Sequence, residues 1–223
     1  MRISVPAEIK NNEFRVAITP AGVKDLVSAG HDVMVQSGAG LGSGITDDAY
    51  SAQGALIEKD AATVWAAGDM ILKVKEPIES EYGYFREGML LFTYLHLAAE
   101  EHLTKALLAA KVTSIAYETV QLPSRALPLL APMSEVAGRL GVIVGANAML
   151  RPNGGPGLLV PGVPGTHPAD ILVLGGGVAG TNAVAMAVGL GASVTVLDTN
   201  IQRLRELDAQ YAGRITTLAS NSY

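Results

Sequence analysis

The stretch Ile171-Leu-Val-Leu-Gly-Gly-Gly-Val-Ala-Gly180, followed by Ser193-Val-Thr-Val-Leu-Asp198, decides the fold of this chain. Its four leading apolar residues predict a buried parallel strand, and the glycines after them predict a tight turn. Residues 178–188 then have the length of a helix, which Gly189 and Gly191 stop. The order of strand, glycine turn, helix and strand is typical of a dinucleotide-binding unit.

The glycine positions indicate what the turn could bind. Gly175 allows a tight turn, Gly177 lets the backbone approach a pyrophosphate, and Gly180 lets the helix pack closely on the strand. Asp198 ends the next strand, near the ~20-residue offset at which an acidic side chain binds ribose hydroxyls. Its charge would repel a 2′-phosphate, so NAD is expected rather than NADP. The alternative is a glycine-rich turn that binds no nucleotide.

Composition limits the classes of protein that this chain can represent. Its 223 residues, 49% hydrophobic and 17% charged, can bury a sizeable core in one or two domains. With 16 basic and 21 acidic residues and no basic run, neither a nucleic acid nor a membrane surface is an expected partner, and small molecules are. No cysteine is present and no metal site is predicted. The N-terminus lacks a signal-peptide pattern, so a cytoplasmic protein is expected.

Strands and helices are expected to alternate from the start of the chain. This pattern predicts α/β folding with two doubly wound, Rossmann-like parallel sheets. We expect a substrate-binding domain at 1–132, and a connecting helix with a dinucleotide-binding domain at 133–223. Expected strands of the first domain include 3–5, 31–36, 69–75, 89–94 and 112–117.

The second domain is expected to be incomplete in this sequence. After Asp198, residues 201–211 predict a helix and 214–218 a third strand, which together make only one βαβαβ half of a dinucleotide fold. The sequence would then be either a fragment of a longer protein or a shortened product.

Three side chains of the first domain could carry chemistry. Arg15 lies in a polar loop and could hold a carboxylate with its planar guanidinium, unless it is a solvated surface residue. Lys73 and Lys75 are expected on one face of a strand, and Lys75 is favoured because it leaves that strand near Pro77. His96 follows another strand in an apolar setting, where a histidine is more often a core residue than a proton carrier.

Several segments together resemble the bacterial L-alanine dehydrogenases over essentially the whole chain. They are Asn11-Asn-Glu-Phe-Arg-Val-Ala-Ile-Thr-Pro20, Leu72-Lys-Val-Lys-Glu-Pro77, Phe92-Thr-Tyr-Leu-His-Leu-Ala98, Ala116-Tyr-Glu-Thr-Val120 and Pro128-Leu-Leu-Ala-Pro-Met-Ser-Glu-Val-Ala-Gly138. The combination is far more specific than the glycine turn alone.

The resemblance implies reversible oxidative deamination of L-alanine to pyruvate and ammonium with NAD. By the same resemblance, Arg15 and Lys75 would bind the substrate and His96 would move protons. The implied cofactor contacts are Ser134, Val178, Asp198, Arg203 and Ser220. Members of this family are usually homohexamers. Their catalytic aspartate would lie beyond residue 223, so we expect a 1–223 polypeptide to show at most trace activity.

Two other functions are weighed against this one. The soluble nucleotide-binding part of proton-translocating transhydrogenase resembles the family, but that group lacks the Tyr94-Leu-His-Leu-Ala98 segment and the lysine at Lys75. The second alternative is a noncatalytic protein that retains NAD or amino-acid binding.

Overall fold

A computed structural model describes residues 1–221 and divides the chain into two compact units, Met1–Leu129 and Leu130–Tyr223. We refer to them as unit 1 and unit 2. No helix within the described residues is long and apolar enough to cross a lipid bilayer.

Unit 1, described in full, is built on a six-stranded sheet. The strands are β1 (Arg2–Val5), β2 (Asp32–Gln36), β3 (Leu56–Glu58), β4 (Met70–Leu72), β5 (Leu90–Thr93) and β6 (Thr113–Ala116). The helices are α1 (Pro20–Ser28), α2 (Asp47–Ser51), α3 (Ala61–Ala67) and α4 (Glu101–Ala109). All neighbouring strands are parallel, in the order β3-β2-β1-β4-β5-β6. The expected α/β class is confirmed, because this is the strand order of a doubly wound fold.

The middle of this sheet contains the point where the strand order reverses. Ile3 of β1 is paired with Val33 of β2 on one side and with Met70 of β4 on the other. The chain therefore builds outward from β1 in one direction and then, from β4, in the other. In open α/β sheets, ligands bind in the crevice outside the carboxyl ends of the strands at such a reversal.

Apolar clusters cover the sheet of unit 1. One cluster includes Val5, Val35 and Tyr50, and another includes Trp65 and Leu91. The successive β4 residues 71 and 72 belong to different clusters. Because successive side chains of a strand face opposite sides, helices on both faces bury the sheet.

One expected strand ends earlier than the sequence predicted. The strand expected over 69–75 is β4, which stops at Leu72, so the prediction that Lys73 and Lys75 share a strand face is wrong. The amides of Val74 and Lys75 donate to the carboxylate of Glu8, at 2.6 and 3.4 Å. A side chain from the segment after β1 therefore takes backbone amides beyond Leu72, and the Val74 amide is the one that a longer β1–β4 ladder would use.

The described part of unit 2, residues 130–221, contains a smaller parallel sheet in the order β7-β8-β9. Its elements are α5 (Ala131–Ala148), β7 (Asp170–Leu174), α6 (Val178–Gly189), β8 (Ser193–Asp198), α7 (Ile201–Tyr211) and β9 (Thr216–Ala219). Strand, turn, helix and strand are present as expected. The third strand lies at 216–219 rather than 214–218.

Candidate functional site

The candidate substrate site lies at the carboxyl ends of β1, β4 and β5 in unit 1. The segment after β1 carries Arg15, the segment after β4 carries Lys75, and the segment after β5 carries His96. Because these three strands are adjacent and parallel, their carboxyl ends meet at one edge of the sheet. The fold thus brings the three expected substrate-site residues to the same edge.

Arg15 is anchored by an acid from its own loop. Its Nε donates to Glu13 Oε1 at 2.8 Å and one terminal nitrogen donates to Oε2 at 2.6 Å, which makes a bidentate pair. The carboxylate is 7% exposed and the guanidinium side chain 48% exposed. The hydrogen bond from Arg15 lowers the pKa of Glu13, against the effect of burial. The pair fixes the plane of the guanidinium while about half of that side chain stays accessible.

Lys73 and Lys75, two residues apart, lie in different environments. Lys73 is 1% exposed and forms ion pairs with Glu8 at 3.2 Å and Glu81 at 2.9 Å. Burial raises the pKa of Glu8, and the charge of Lys73 opposes that effect. Lys73 is therefore part of the interior.

Lys75 is half-buried, and side chains hold both polar groups of its backbone. Its amide donates to Glu8, and its carbonyl accepts from Thr93 Oγ1 at 3.0 Å. Within residues 1–221 its ammonium has no hydrogen bond or ion pair. A fixed backbone with an unpaired ammonium suits a group that receives an anionic or carbonyl oxygen.

The side chain of His96 is 44% exposed, so the interpretation of this residue as a core histidine is wrong. Its backbone lies in the left-handed region, with φ 51°. The carboxylate of Glu118 accepts from the amides of His96, at 2.8 Å, and Leu95, at 3.1 Å. These bonds hold a conformation that non-glycine residues rarely adopt. Constrained backbone of this kind is typical of functional sites.

A second carboxylate contacts the His96 ring. Nδ1 lies 3.2 Å from Oε2 of Glu76, whose other oxygen pairs with Lys10. Burial by itself would raise the pKa of Glu76, but the hydrogen bond from Lys10 and the charges of Lys10 and Lys75 bring that pKa below its usual value. Glu76 is therefore an ionised acceptor for both neighbours.

Sequence reasoning missed the acids of this site. Glu8, Glu13 and Glu76 each contact or hold one of the expected residues, and none of them was singled out. The rule that selected Lys75, a polar residue just beyond the carboxyl end of a strand, also applies to Glu8 after β1 and to Glu76 after β4. Glu118 was considered only as a plausible acid without assigned chemistry.

The glycine turn of unit 2 has the geometry that the sequence predicted. Gly175 has φ 98°, which L-residues rarely adopt. A Cβ on Gly180 would lie 1.7 Å from the carbonyl oxygen of Gly175, whereas a Cβ on Gly177 would meet no atom of the described residues within 4 Å. Gly180 is thus needed for packing of α6 on the turn, and space remains over Gly177, where α6 begins at Val178.

Asp198 links the glycine turn to the start of α7. Its carboxylate accepts from Gly176 N at 2.6 Å and from Asn200 N at 2.8 Å. These two backbone hydrogen bonds lower the pKa of Asp198, and the bond from Asn200 has the larger effect. An ionised carboxylate with a second lone pair on each oxygen can still accept from ribose hydroxyls.

Arg203 contacts the glycine turn, and Ser220 contacts Asp198. Arg203 Nε donates to Gly176 O at 2.7 Å, and a terminal nitrogen donates to Thr181 Oγ1 at 2.6 Å. Ser220, just after β9, donates its amide to the carbonyl of Asp198 at 2.9 Å. A surface cavity of about 450 Å³ adjoins the turn and is lined by Gly177, Val178, Thr181, Asn182 and Arg203. This space and the open backbone over Gly177 are compatible with a bound nucleotide.

Ser134 lies on α5, in its first turns. This helix packs tightly on α6, because a Cβ on Gly138 would lie 2.0 Å from the carbonyl oxygen of Ala179. Ser134 thus lies on a helix that packs against α6, the helix that follows the glycine turn. In the described residues no group of three or more His, Asp or Glu side chains could hold a metal ion.

Comparisons with known proteins cover the whole chain. A profile described as "Alanine dehydrogenase/PNT, N-terminal domain" matches residues 4–137, and one described as "Alanine dehydrogenase/PNT, C-terminal domain" matches residues 141–223. The alanine dehydrogenase of Mycobacterium tuberculosis (strain CDC 1551 / Oshkosh) is 59% identical over 223 residues. The alanine dehydrogenase of Methanococcus maripaludis is 57% identical over 223 residues. The chain is covered completely, and it spans 60% of the length of each of these two relatives.

Two solved structures are similar over the full chain. An L-alanine dehydrogenase superposes with a TM-score of 0.91 at 50% identity, and the chain covers 61% of it. A transhydrogenase from Sinorhizobium meliloti superposes with a TM-score of 0.78 at 30% identity, and the chain covers 62% of it. Both fold and sequence are closer to the first of the two.

Proposed function

The chain belongs to the alanine dehydrogenase/PNT family, and from that premise we propose that it acts as an NAD-dependent L-alanine dehydrogenase. The reaction would convert L-alanine, NAD⁺ and water to pyruvate, ammonium, NADH and a proton, and would be reversible. The observation that carries the proposal is the meeting of Arg15, Lys75 and His96 at the carboxyl edge of three adjacent strands.

In this proposal the two cations bind the substrate. The guanidinium of Arg15, fixed by Glu13, offers a planar donor set to the carboxylate of alanine or pyruvate. The ammonium of Lys75 would bind the oxygen that becomes the keto group, because it is a point charge on a held backbone and pairs with no group of residues 1–221. Together they would fix the α-carbon for hydride loss.

His96 would carry the protons of the reaction. Water attacks the imine formed when the α-carbon loses its hydride, and a neutral imidazole accepts the proton that this water releases. The same proton then passes to the nitrogen of the carbinolamine, and as the C–N bond breaks the hydroxyl oxygen becomes the keto oxygen. Its proton would pass through His96 to the departing ammonia, which leaves as ammonium, and the net proton of the reaction is the one that the alanine ammonium loses when the imine forms. The side chain is accessible enough to meet a substrate, being 44% exposed.

Unit 2 would bind NAD, the hydride acceptor of the proposed reaction. The open backbone over Gly177 and the start of α6 at Val178 suit the pyrophosphate, with Gly175 and Gly180 shaping the turn. Asp198 would accept from the ribose hydroxyls and repel a 2′-phosphate. The remaining proposed contacts are Ser134, Arg203 and Ser220.

A homo-oligomer, hexameric by family resemblance, is proposed as the working form. Support comes from α5, where Val136, Leu140 and Val144 are exposed apolar residues spaced four apart. Residues four apart share one face of a helix, so α5 offers an apolar stripe. The substrates are small metabolites, for which the cytoplasm is the proposed location. Light scattering of the purified protein tests the oligomer.

The second candidate function is the nucleotide-binding component of a transhydrogenase, favoured by the similarity to the Sinorhizobium meliloti structure. A noncatalytic NAD-binding protein is a third. Neither uses a substrate lysine and a constrained histidine at the edge of unit 1. The three proposals therefore differ in what His96 does.

An assay of the complete gene product separates them. NADH formation from L-alanine should be measurable, and His96→Ala should abolish nearly all of it while NADH binding, measured by fluorescence titration, is retained. His102→Ala is the matched control, since His102 lies on α4 and should leave turnover unchanged. Absent alanine oxidation with hydride exchange between nucleotides would support the transhydrogenase component. Normal turnover in His96→Ala would reject the proposed role of His96.

A further inference from the structure

We propose that Glu76 is a positioning residue that fixes the tautomer of His96, keeping a proton on Nδ1 and leaving Nε2 as the proton-accepting atom. The catalytic meaning of this assignment rests on the proposed function. The tautomer itself is a property of the chain and can be measured without turnover.

The geometry places the two side chains on neighbouring elements. Glu76 follows β4, His96 follows β5, and their side chains meet at 3.2 Å between Oε2 and Nδ1. Independently, Glu118 after β6 holds the backbone of His96 through a 2.8 Å bond. One carboxylate thus fixes the backbone of the histidine and the other contacts the ring.

The charge state of Glu76 determines which group donates. An ionised carboxylate can only accept hydrogen bonds, so the proton between Glu76 and His96 must belong to Nδ1. Lys10 favours the ionised form, because it pairs with the other oxygen of the same carboxylate. A neutral imidazole carries only one proton, and Nε2 is then its lone-pair atom.

Other groups near His96 do not compete for its ring nitrogens. Tyr94 lies with its ring centroid 6.4 Å from that of His96, and its hydroxyl donates to the carbonyl of Leu129. Glu118 is occupied by backbone amides. Among residues 1–221, Glu76 alone hydrogen-bonds an imidazole nitrogen of His96. Removing the charge of Glu76 should therefore allow His96 to populate both neutral tautomers.

Nuclear magnetic resonance of ¹⁵N-histidine-labelled protein tests the assignment. Long-range ¹H–¹⁵N correlations distinguish the two neutral tautomers, and the His96 signal among the four histidines is identified by its loss in His96→Gln. At a pH where the ring is neutral, the wild-type chain should show the Nδ1–H form. A wild-type His96 that carries its proton on Nε2 overturns the proposal, even if no Glu76 variant folds.

Variants test the cause. In Glu76→Gln the amide can either accept or donate, so the ratio of Nδ1–H to Nε2–H should fall at least about tenfold, the scale of a charge-assisted bond. Glu79→Gln is the matched control, because it removes an exposed carboxylate from the neighbouring turn and should leave the ratio unchanged. An unchanged ratio in Glu76→Gln overturns the proposal.

Kinetics of the complete gene product give the functional consequence. Glu76→Gln should lower kcat for alanine at least about tenfold, and by up to about 10⁴-fold, the cost seen when a catalytic histidine loses its orienting carboxylate. KM and NADH affinity should change little. An Nδ1–H signal in a protein that does not oxidise alanine would reject the proposed function and leave the tautomer assignment standing. An unchanged kcat and an unchanged tautomer ratio in Glu76→Gln would reject the tautomer assignment and leave the proposed function standing.

Discussion

Replacing Asp198 by asparagine should change the choice between the two nicotinamide nucleotides. In the structure each carboxylate oxygen already accepts one backbone amide, from Gly176 at 2.6 Å and Asn200 at 2.8 Å. Asparagine has nearly the same shape but only one acceptor oxygen, so the substitution removes the negative charge and leaves one of the two backbone amides without its acceptor. The loss of the charge and the loss of one turn contact therefore occur together in this variant.

The expected size follows from the bonds that change. NADH would exchange a charge-assisted hydrogen bond for a neutral one, and NADPH would lose a repulsion of its 2′-phosphate. Together these should narrow the gap between NADH and NADPH affinity by about 1 to 3 kcal/mol, or about 5- to 150-fold. Without the charge, the remaining preference between the two nucleotides would rest on the neutral hydrogen bond and on shape.

Fluorescence titration of NADH and NADPH against wild type and Asp198→Asn measures the gap directly. Asp208→Asn serves as the control, because Asp208 is an exposed acid of α7 and its loss changes net charge by the same amount. Equal affinities for the two nucleotides in the wild type would refute the role of Asp198. So would a gap that Asp208→Asn narrows as much as Asp198→Asn.

Three further predictions concern stability. Gly180→Ala should destabilise unit 2 by at least about 1 to 3 kcal/mol in urea unfolding, since its Cβ would meet a backbone oxygen at 1.7 Å, whereas Gly189→Ala, with open space, should not. Lys73→Met should cost about 3 to 5 kcal/mol, because it leaves two buried glutamates unpaired, and a smaller loss than in an exposed-lysine variant would contradict this. The hydrogen bond from Arg2 lowers the pKa of Asp69 from its usual 3.8 to about 2, so this contribution to stability is full above pH 3.8 and lost as the pH falls towards 2. In Asp69→Asn the melting temperature should therefore change less with pH over that range. Identical curves of melting temperature against pH for the variant and the wild type would count against this role of Asp69.

The nucleotide-binding turn could be predicted because its determinants are local. The left-handed φ of Gly175, the start of α6 at Val178 and the acid at the end of β8 are all specified within a stretch of fewer than 30 residues. Helix signals were equally local: Thr19 caps α1 by accepting from Gly22 N at 3.2 Å. The roles assigned to the two domains and to the individual site residues stay predictions.

What the sequence did not show depends on contacts between distant segments. The end of β4 at Leu72 is set by Glu8, more than 60 residues earlier in the chain. The setting of His96 looked apolar in the sequence, yet parallel pairing brings Glu76 from one neighbouring strand and Glu118 from the other. A periodicity argument cannot find such partners without the strand order.

In the site of unit 1 the carboxylates are buried and their basic partners are more exposed. The carboxylates of Glu13 and Glu76 are 7% and 5% exposed, whereas their partners Arg15 and Lys10 are 48% and 38% exposed. Each buried acid therefore anchors a base whose side chain is partly exposed, and Lys75 adds an ammonium that pairs with none of the described residues. The accessible members of these pairs are thus cations, although the chain as a whole has a net charge of −5. A small carboxylate would meet cations first, at an edge whose acids are already engaged, and this is the electrostatic condition that the proposed binding of an α-amino or α-keto acid needs.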